Sequence, residues 1–116
     1  MKKQFIKFLL MFSCSLSASG VEKMDWPFDQ ARNVAAITTK QVVKDSFPVL
    51  MVVHYADDDS WAFTCGTTNK SEDLMIVGMG EIVSLDPTLY SIADLPPGWS
   101  ATRASITSEW VRSKGE

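Results

Sequence analysis

The chain has 116 residues, 46% of them hydrophobic and 22% charged, with a formal net charge of −3. That length fits a single domain, and that balance excludes both a disordered acidic tail and a basic surface built to hold nucleic acid. The four tryptophans, Trp26, Trp61, Trp99 and Trp110, all lie beyond residue 20, and each can bury on the order of 200 Å² as a core anchor.

Residues 1–20 stand apart from the rest. Lys2, Lys3 and Lys7 precede an apolar run from Phe8 to Phe12, and small residues continue to Gly20. A basic end, an apolar centre and small residues at the cut predict a signal peptide over 1–20, cleaved after Ser19 or Gly20. A membrane-spanning helix needs about 20 apolar residues, so no membrane contact is expected beyond this leader. Met11-Phe12-Ser13 is a poor approach to a lipidated cysteine at Cys14. The alternative places the true start at Met24. Translation from Met1 implies a periplasmic or secreted protein, and a start at Met24 a cytoplasmic one. Removing the leader takes three lysines and no acid, which leaves a body of charge about −6 that repels nucleic acid and anionic lipid. Cys65 is then the only thiol, so no intramolecular disulfide can form. Its setting between Phe63 and Gly66 suits a small buried hydrophobe.

Asp25 to Arg32 is a lead-in loop, and Asn33 to Thr38 a short strand. Thr39 is placed to cap a brief helix, Lys40 to Asp45, with Val42 and Val43 inward. Phe47 to Tyr55 is the clearest strand, continuously apolar as a central strand should be. Ala56 to Ser60 is a turn holding three consecutive aspartates, and Trp61 to Cys65 returns as the partner strand of a hairpin. A polar loop, Gly66 to Asp73, leads to a third apolar strand, Leu74 to Val77. Glu81 to Leu85 is a helical turn. Asp86-Pro87 then places an N-cap before a proline at the first helical position. Leu89, Ile92 and Leu95 mark the buried stripe of that second piece. Pro96-Pro97-Gly98 stops it, and Trp99 to Ile106 is the last strand. Residues 24–112 thus make one α+β domain: an antiparallel sheet of four or five strands with short helices on one face, and a frayed tail at 113–116.

Trp61-x-Phe63-x-x-Gly66, Val83-x-Leu85-Asp86-Pro87, Pro97-Gly98 and Arg103 together resemble the layout of a small bacterial family. That family was first catalogued as a domain of unknown function and is grouped with the immunity proteins of polymorphic toxin systems, as immunity type thirty-three. The likeness spans about Asn33 to Trp110 and also takes in Ala-Ile-Thr-Thr, Leu-Asp-Pro and Asp-Leu-Pro-Pro-Gly-Trp. The chain departs from the pattern in its leader and in the residues before Gly66. The resemblance implies a non-catalytic module that occludes a protein partner, and it brings no catalytic residue with it.

Asp57-Asp58-Asp59 is the sharpest charge feature. Three adjacent aspartates lack the alternating ligands, glycine bend and distal glutamate of a calcium loop. They read better as a solvated hairpin tip able to steer a basic, toxin-like partner. His54 is the only histidine and Cys65 the only body thiol, so zinc catalysis lacks its three ligands. Pairing Tyr55 with Trp61 and His54 with Ala62 would leave Cys65 roughly 10 Å from His54, too far for a nucleophile and its base. Trp61 and Trp99 suit the core, yet a tryptophan exposed beside Arg103 would make a binding anchor. The partner-binding candidates are therefore Asp57, Asp58, Asp59, Trp61 and Arg103, on a monomer with no cofactor and no metal. The rival is a small hydrolase or metal-dependent enzyme built on His54, Cys65 and the aspartate tip.

Overall fold

A computed structural model describes residues 25–68 and 70–116. The signal-like leader, Cys14 and the Met24 start all lie outside the described residues. Six strands form one sheet: β1 (Ala35–Thr39), β2 (Met51–His54), β3 (Trp61–Thr64), β4 (Leu74–Gly78), β5 (Trp99–Thr102) and β6 (Val111–Lys114). Their spatial order is β4-β1-β3-β2-β5-β6. Among the described residues, two α-helices, α1 (Lys40–Asp45) and α2 (Met79–Leu85), and a 3-10 helix at Pro87–Ile92 supply the rest of the regular structure, with a 3-10 turn at Ser71–Asp73.

The class is α+β, but the expected antiparallel sheet of four or five strands is corrected on two counts. β1 runs parallel to β3, with Ile37 opposite Ala62. The segment Val111–Lys114 is a sixth strand, paired antiparallel with β5 so that Ser113 faces Ser100 and Lys114 faces Trp99. Residues 113 and 114 are therefore held by a ladder where a frayed tail was expected. Its backbone groups find partners only because β5 leaves an edge open, and a Val-Arg-Ser-Lys sequence carries no apolar signal of that.

One face of the sheet is buried. Ala36, Phe63, Val52 and Ala101, all fully or nearly buried, pack with Val42 of α1, Met79, Ile82 and Val83 of α2, and Leu89, Ile92 and Leu95. The three-residue stripe read from the sequence is thus in the core. The lead-in loop joins it: Phe28 meets Trp61 edge-on at 5.1 Å between centroids and Trp26 at 5.1 Å. α1 starts where expected, but Thr39 makes no side-chain cap. Its hydroxyl turns to the Cys65 thiol, 3.7 Å away, because both are buried together.

Asp86 does cap, accepting from the Thr88 amide at 3.1 Å, although the piece it opens is 3-10. A proline at its first position removes a donor that would have had no partner there. After it, Gly98 adopts φ +86°, which a side chain would resist, and the turn hands the chain to β5. The Gly98 amide donates to the His54 carbonyl at 2.7 Å, locking the Pro-Pro-Gly turn against the end of β2.

Candidate functional site

The hairpin between β2 and β3 is one residue out of the expected register. His54 faces Trp61 and Val53 faces Ala62. The turn closes through Tyr55 N–H to the Ser60 carbonyl at 2.8 Å and Asp59 N–H to the Tyr55 carbonyl at 3.1 Å, with Asp59 at φ +63°. Aspartate tolerates that left-handed conformation better than most residues. The shift matters because it puts the His54 and Trp61 rings on one face, stacked at 4.0 Å and 17°.

The imidazole is clamped at both nitrogens. Nδ1 lies 2.7 Å from the Leu95 carbonyl oxygen, which can only accept, so Nδ1 donates. Nε2 lies 2.6 Å from Asp59 Oδ1, within hydrogen-bond distance of that carboxylate. Gln30 completes the arrangement from the lead-in loop. Its Nε2 donates to the Asp59 carbonyl at 2.9 Å and to Asp59 Oδ2 at 2.8 Å, while its Oε1 accepts from Trp61 Nε1 at 2.8 Å.

The three aspartates therefore differ in kind. Asp59 is tied down by His54 and Gln30, although its side chain is still 57% exposed. Asp58 bends back on the turn, accepting from the Ser60 hydroxyl at 2.6 Å and the Ser60 amide at 3.1 Å. Those bonds, the hydroxyl first, hold its carboxyl below the usual carboxylate value, so it stays charged as pH falls toward that value. Asp57 is exposed. Next to the tip lies an open depression of about 380 Å³, whose lining includes Asp29, Gln30, His54, Asp94 and Pro97. Asp94 pairs with Arg112 of β6 at 2.8 Å, chiefly through a hydrogen bond that lowers its carboxyl below the ordinary value. Glu116 accepts from the Ala56 amide at 3.0 Å and adds another acid beside the turn.

Trp61 and Arg103 are internal, which departs from their place among the surface candidates. Trp61 is 1% exposed in the aromatic core. Arg103 is buried and spends its guanidinium inside: Nε donates to the Val49 carbonyl at 3.0 Å, Nη1 to Thr88 Oγ1 at 3.0 Å and the Ile106 carbonyl at 3.2 Å, and Nη2 to Asp86 Oδ2 at 2.8 Å. A tryptophan does sit beside it, but it is half-buried Trp110, with the guanidinium 4.2 Å from the ring centre.

Cys65 is buried and close to two threonine hydroxyls, Thr67 at 3.0 Å and Thr39 at 3.7 Å. Burial pushes its thiol up, yet the bonds to Thr67 and Thr39 together outweigh that and leave it below its ordinary value. It stands four residues along β3 from Trp61, which faces His54, hence about 13 Å away. Among the described residues no three His, Cys, Asp or Glu side chains converge as a metal set, and no helix is long and apolar enough to cross a membrane.

Gln30 and the Leu95 carbonyl are the parts of this site that sequence reading missed. A lone glutamine in a loop, and a backbone oxygen 41 residues from its histidine, carry no local signature. Compared with family models, with curated proteins and with solved structures, the chain matches none.

Proposed function

We propose that this protein is a non-catalytic protein-binding module of the immunity kind that its sequence resembles, and that it occludes a basic, toxin-like partner at the Asp57–Asp59 tip. The observation that carries the reading is the way the tip is held. His54 and Gln30 fix Asp59, Ser60 fixes Asp58, and all three aspartates stay exposed on an ordered turn. A pre-ordered acidic turn loses little conformational freedom on binding and steers a basic surface during approach. Asp29 beside the turn extends the negative field across the depression, while the charge of Asp94 is met by Arg112.

The hydrolase reading has less support. Both nitrogens of His54 are engaged, so neither is free to take a proton from a substrate. The thiol that would serve as nucleophile stands about 13 Å along the strand. An exported body would meet its partner in the periplasm, and a chain started at Met24 would meet it in the cytoplasm.

The test uses the tagged full chain as bait in a lysate of its own host, beside a variant carrying Asp57→Asn and Asp58→Asn. Asp59 is left alone because it holds the turn. Basic proteins retained by the parent and lost from the variant are then measured for association rate against salt. The reading expects the variant to fold, to associate more slowly at low salt, and to show a flatter salt dependence. A partner that associates with both chains at one rate in low salt would sink it.

A further inference from the structure

The two outer strands of the sheet are built differently. β6 ends one side and carries Arg112 and Lys114, the charged residues with which natural sheets protect an open edge. β4 ends the other side and reads Leu74-Met75-Ile76-Val77-Gly78, with no charge, no proline and five residues in unbroken register with β1. Half of its backbone amides and carbonyls point away from β1. Among the described residues, no strand pairs with that outer side, and of its amides Leu74 alone is engaged, by the Ser71 carbonyl. Ile76 is 66% exposed and Leu74 50%, both on the sheet face that the helices leave uncovered. The row across that face from Ile76 runs through Ile37, Ala62, Val53, Ser100 and Ser113 without a charged residue.

We propose that β4 is a dimerisation edge, and that its occupant is β4 of a second copy of this chain, paired antiparallel about a two-fold axis at Ile76. An antiparallel pair of identical strands is self-complementary by construction. With Ile76 opposite its own copy, Leu74 of one chain faces Gly78 of the other and Met75 faces Val77, so every cross-strand pair is uncharged. This is the register in which an acidic body can approach its twin without placing like charges opposite one another in the ladder. Pairing uses up both unguarded edges and leaves the two β6 strands, with their Arg and Lys, at the ends of a twelve-stranded sheet. The assembly is therefore closed at two copies, where β4-to-β6 pairing would run on as a fibre. A five-residue edge is about 16 Å long, and it buries an area at the low end of stable interfaces. The dimer is accordingly weak and concentration-dependent. This departs from the monomer expected from the sequence, and it is independent of the tip.

Sedimentation of the full chain across the micromolar to millimolar range, together with two variants, tests it. The parent mass should rise toward twice the 12.9 kDa chain mass and stop there. Ile76→Lys sets two ammonium groups against each other at the axis and should hold the chain at the monomer mass. Met51→Lys alters the same open face three strands from the edge and should dimerise as the parent does. If Ile76→Lys fails to melt cooperatively, Leu74→Lys takes its place with the same expected loss. A parent that stays monomeric throughout overturns the proposal, whether a foreign partner or residues 1–24 of the same chain occupy the edge. So does association that survives Ile76→Lys, which would come from the leader, or loss with Met51→Lys as well, which would indicate stacking of open faces.

Discussion

β2 is held at its two ends by charged side chains that do different work. At the Val49 end, Arg103 donates to the backbone and pairs with Asp86, and the two side chains are 2% and 8% exposed. At the His54 end, a histidine that is 5% exposed pairs with Asp59, whose side chain is 57% exposed. Each joins a distant loop to the sheet: Asp86 opens the 3-10 helix, and His54 reaches the Leu95 carbonyl just after it. The difference lies in the acid. A buried acid has no role except toward its partner, so the first pair is architecture. An acid left in water is both an anchor and a displayed charge, so the second pair can present the tip while fixing it.

Asp86→Ala breaks this comparison at its strongest point. The cap alone is worth about 1 kcal/mol. The structure adds a buried guanidinium left without its carboxylate, which raises the expected loss to about 3–5 kcal/mol. Urea denaturation of parent and variant measures it, and added salt should change the difference little because the pair is shielded from ions. A loss no larger than a cap's would mean that Arg103 is satisfied by Val49, Thr88 and Ile106 alone.

His54→Phe tests the other end with the ring stack on Trp61 preserved. The Leu95 carbonyl would lose its only side-chain donor among the described residues. That orphaned acceptor predicts a loss of about 1–3 kcal/mol, smaller than at Asp86 because no buried charge is stranded. Amide exchange should show the loosening first at Pro96-Pro97-Gly98, whose turn is tied to His54 by both ring and backbone. Protection unchanged around Gly98 would show that the backbone bond carries the turn without the ring.

Local features of the first pair were legible in the sequence. Asp86-Pro87 announces a cap, and Leu89, Ile92 and Leu95 announce a buried stripe, because both depend on neighbours within one turn of chain. The ion pair itself was not legible, since Arg103 lies 17 residues from Asp86 and reaches it only after β5 has docked on β2. The second pair was hidden further. Turn composition marked residues 56–60, but the positive φ at Asp59 set the register one residue from the expected one and brought His54 onto Trp61. The parallel pairing of β1 with β3 and the ladder of β6 were equally non-local, and a polar Val-Arg-Ser-Lys strand is defined by its neighbour alone.

Asp59→Asn should have the smallest effect, and it sharpens the comparison most. Asparagine adopts the left-handed conformation as readily as aspartate, so the turn keeps its shape. The Gln30 bond to the residue 59 carbonyl is untouched, the amide oxygen can still accept from Gln30, and the amide nitrogen can donate to His54 Nε2, the acceptor of a ring whose Nδ1 donates to Leu95. Only the charge is removed, from a side chain already half in water, where a charge contributes about 0–1 kcal/mol. Thermal unfolding should therefore place Asp59→Asn within about 1 kcal/mol of the parent. Asp59→Ala should fall lower, because it puts a residue that disfavours positive φ at that position and removes every acceptor of the side chain. If the asparagine variant is as damaged as Asp86→Ala, Asp59 is as architectural as Asp86. The tip would then be a by-product of folding, and Asp57 and Asp58 would be its only displayed charges.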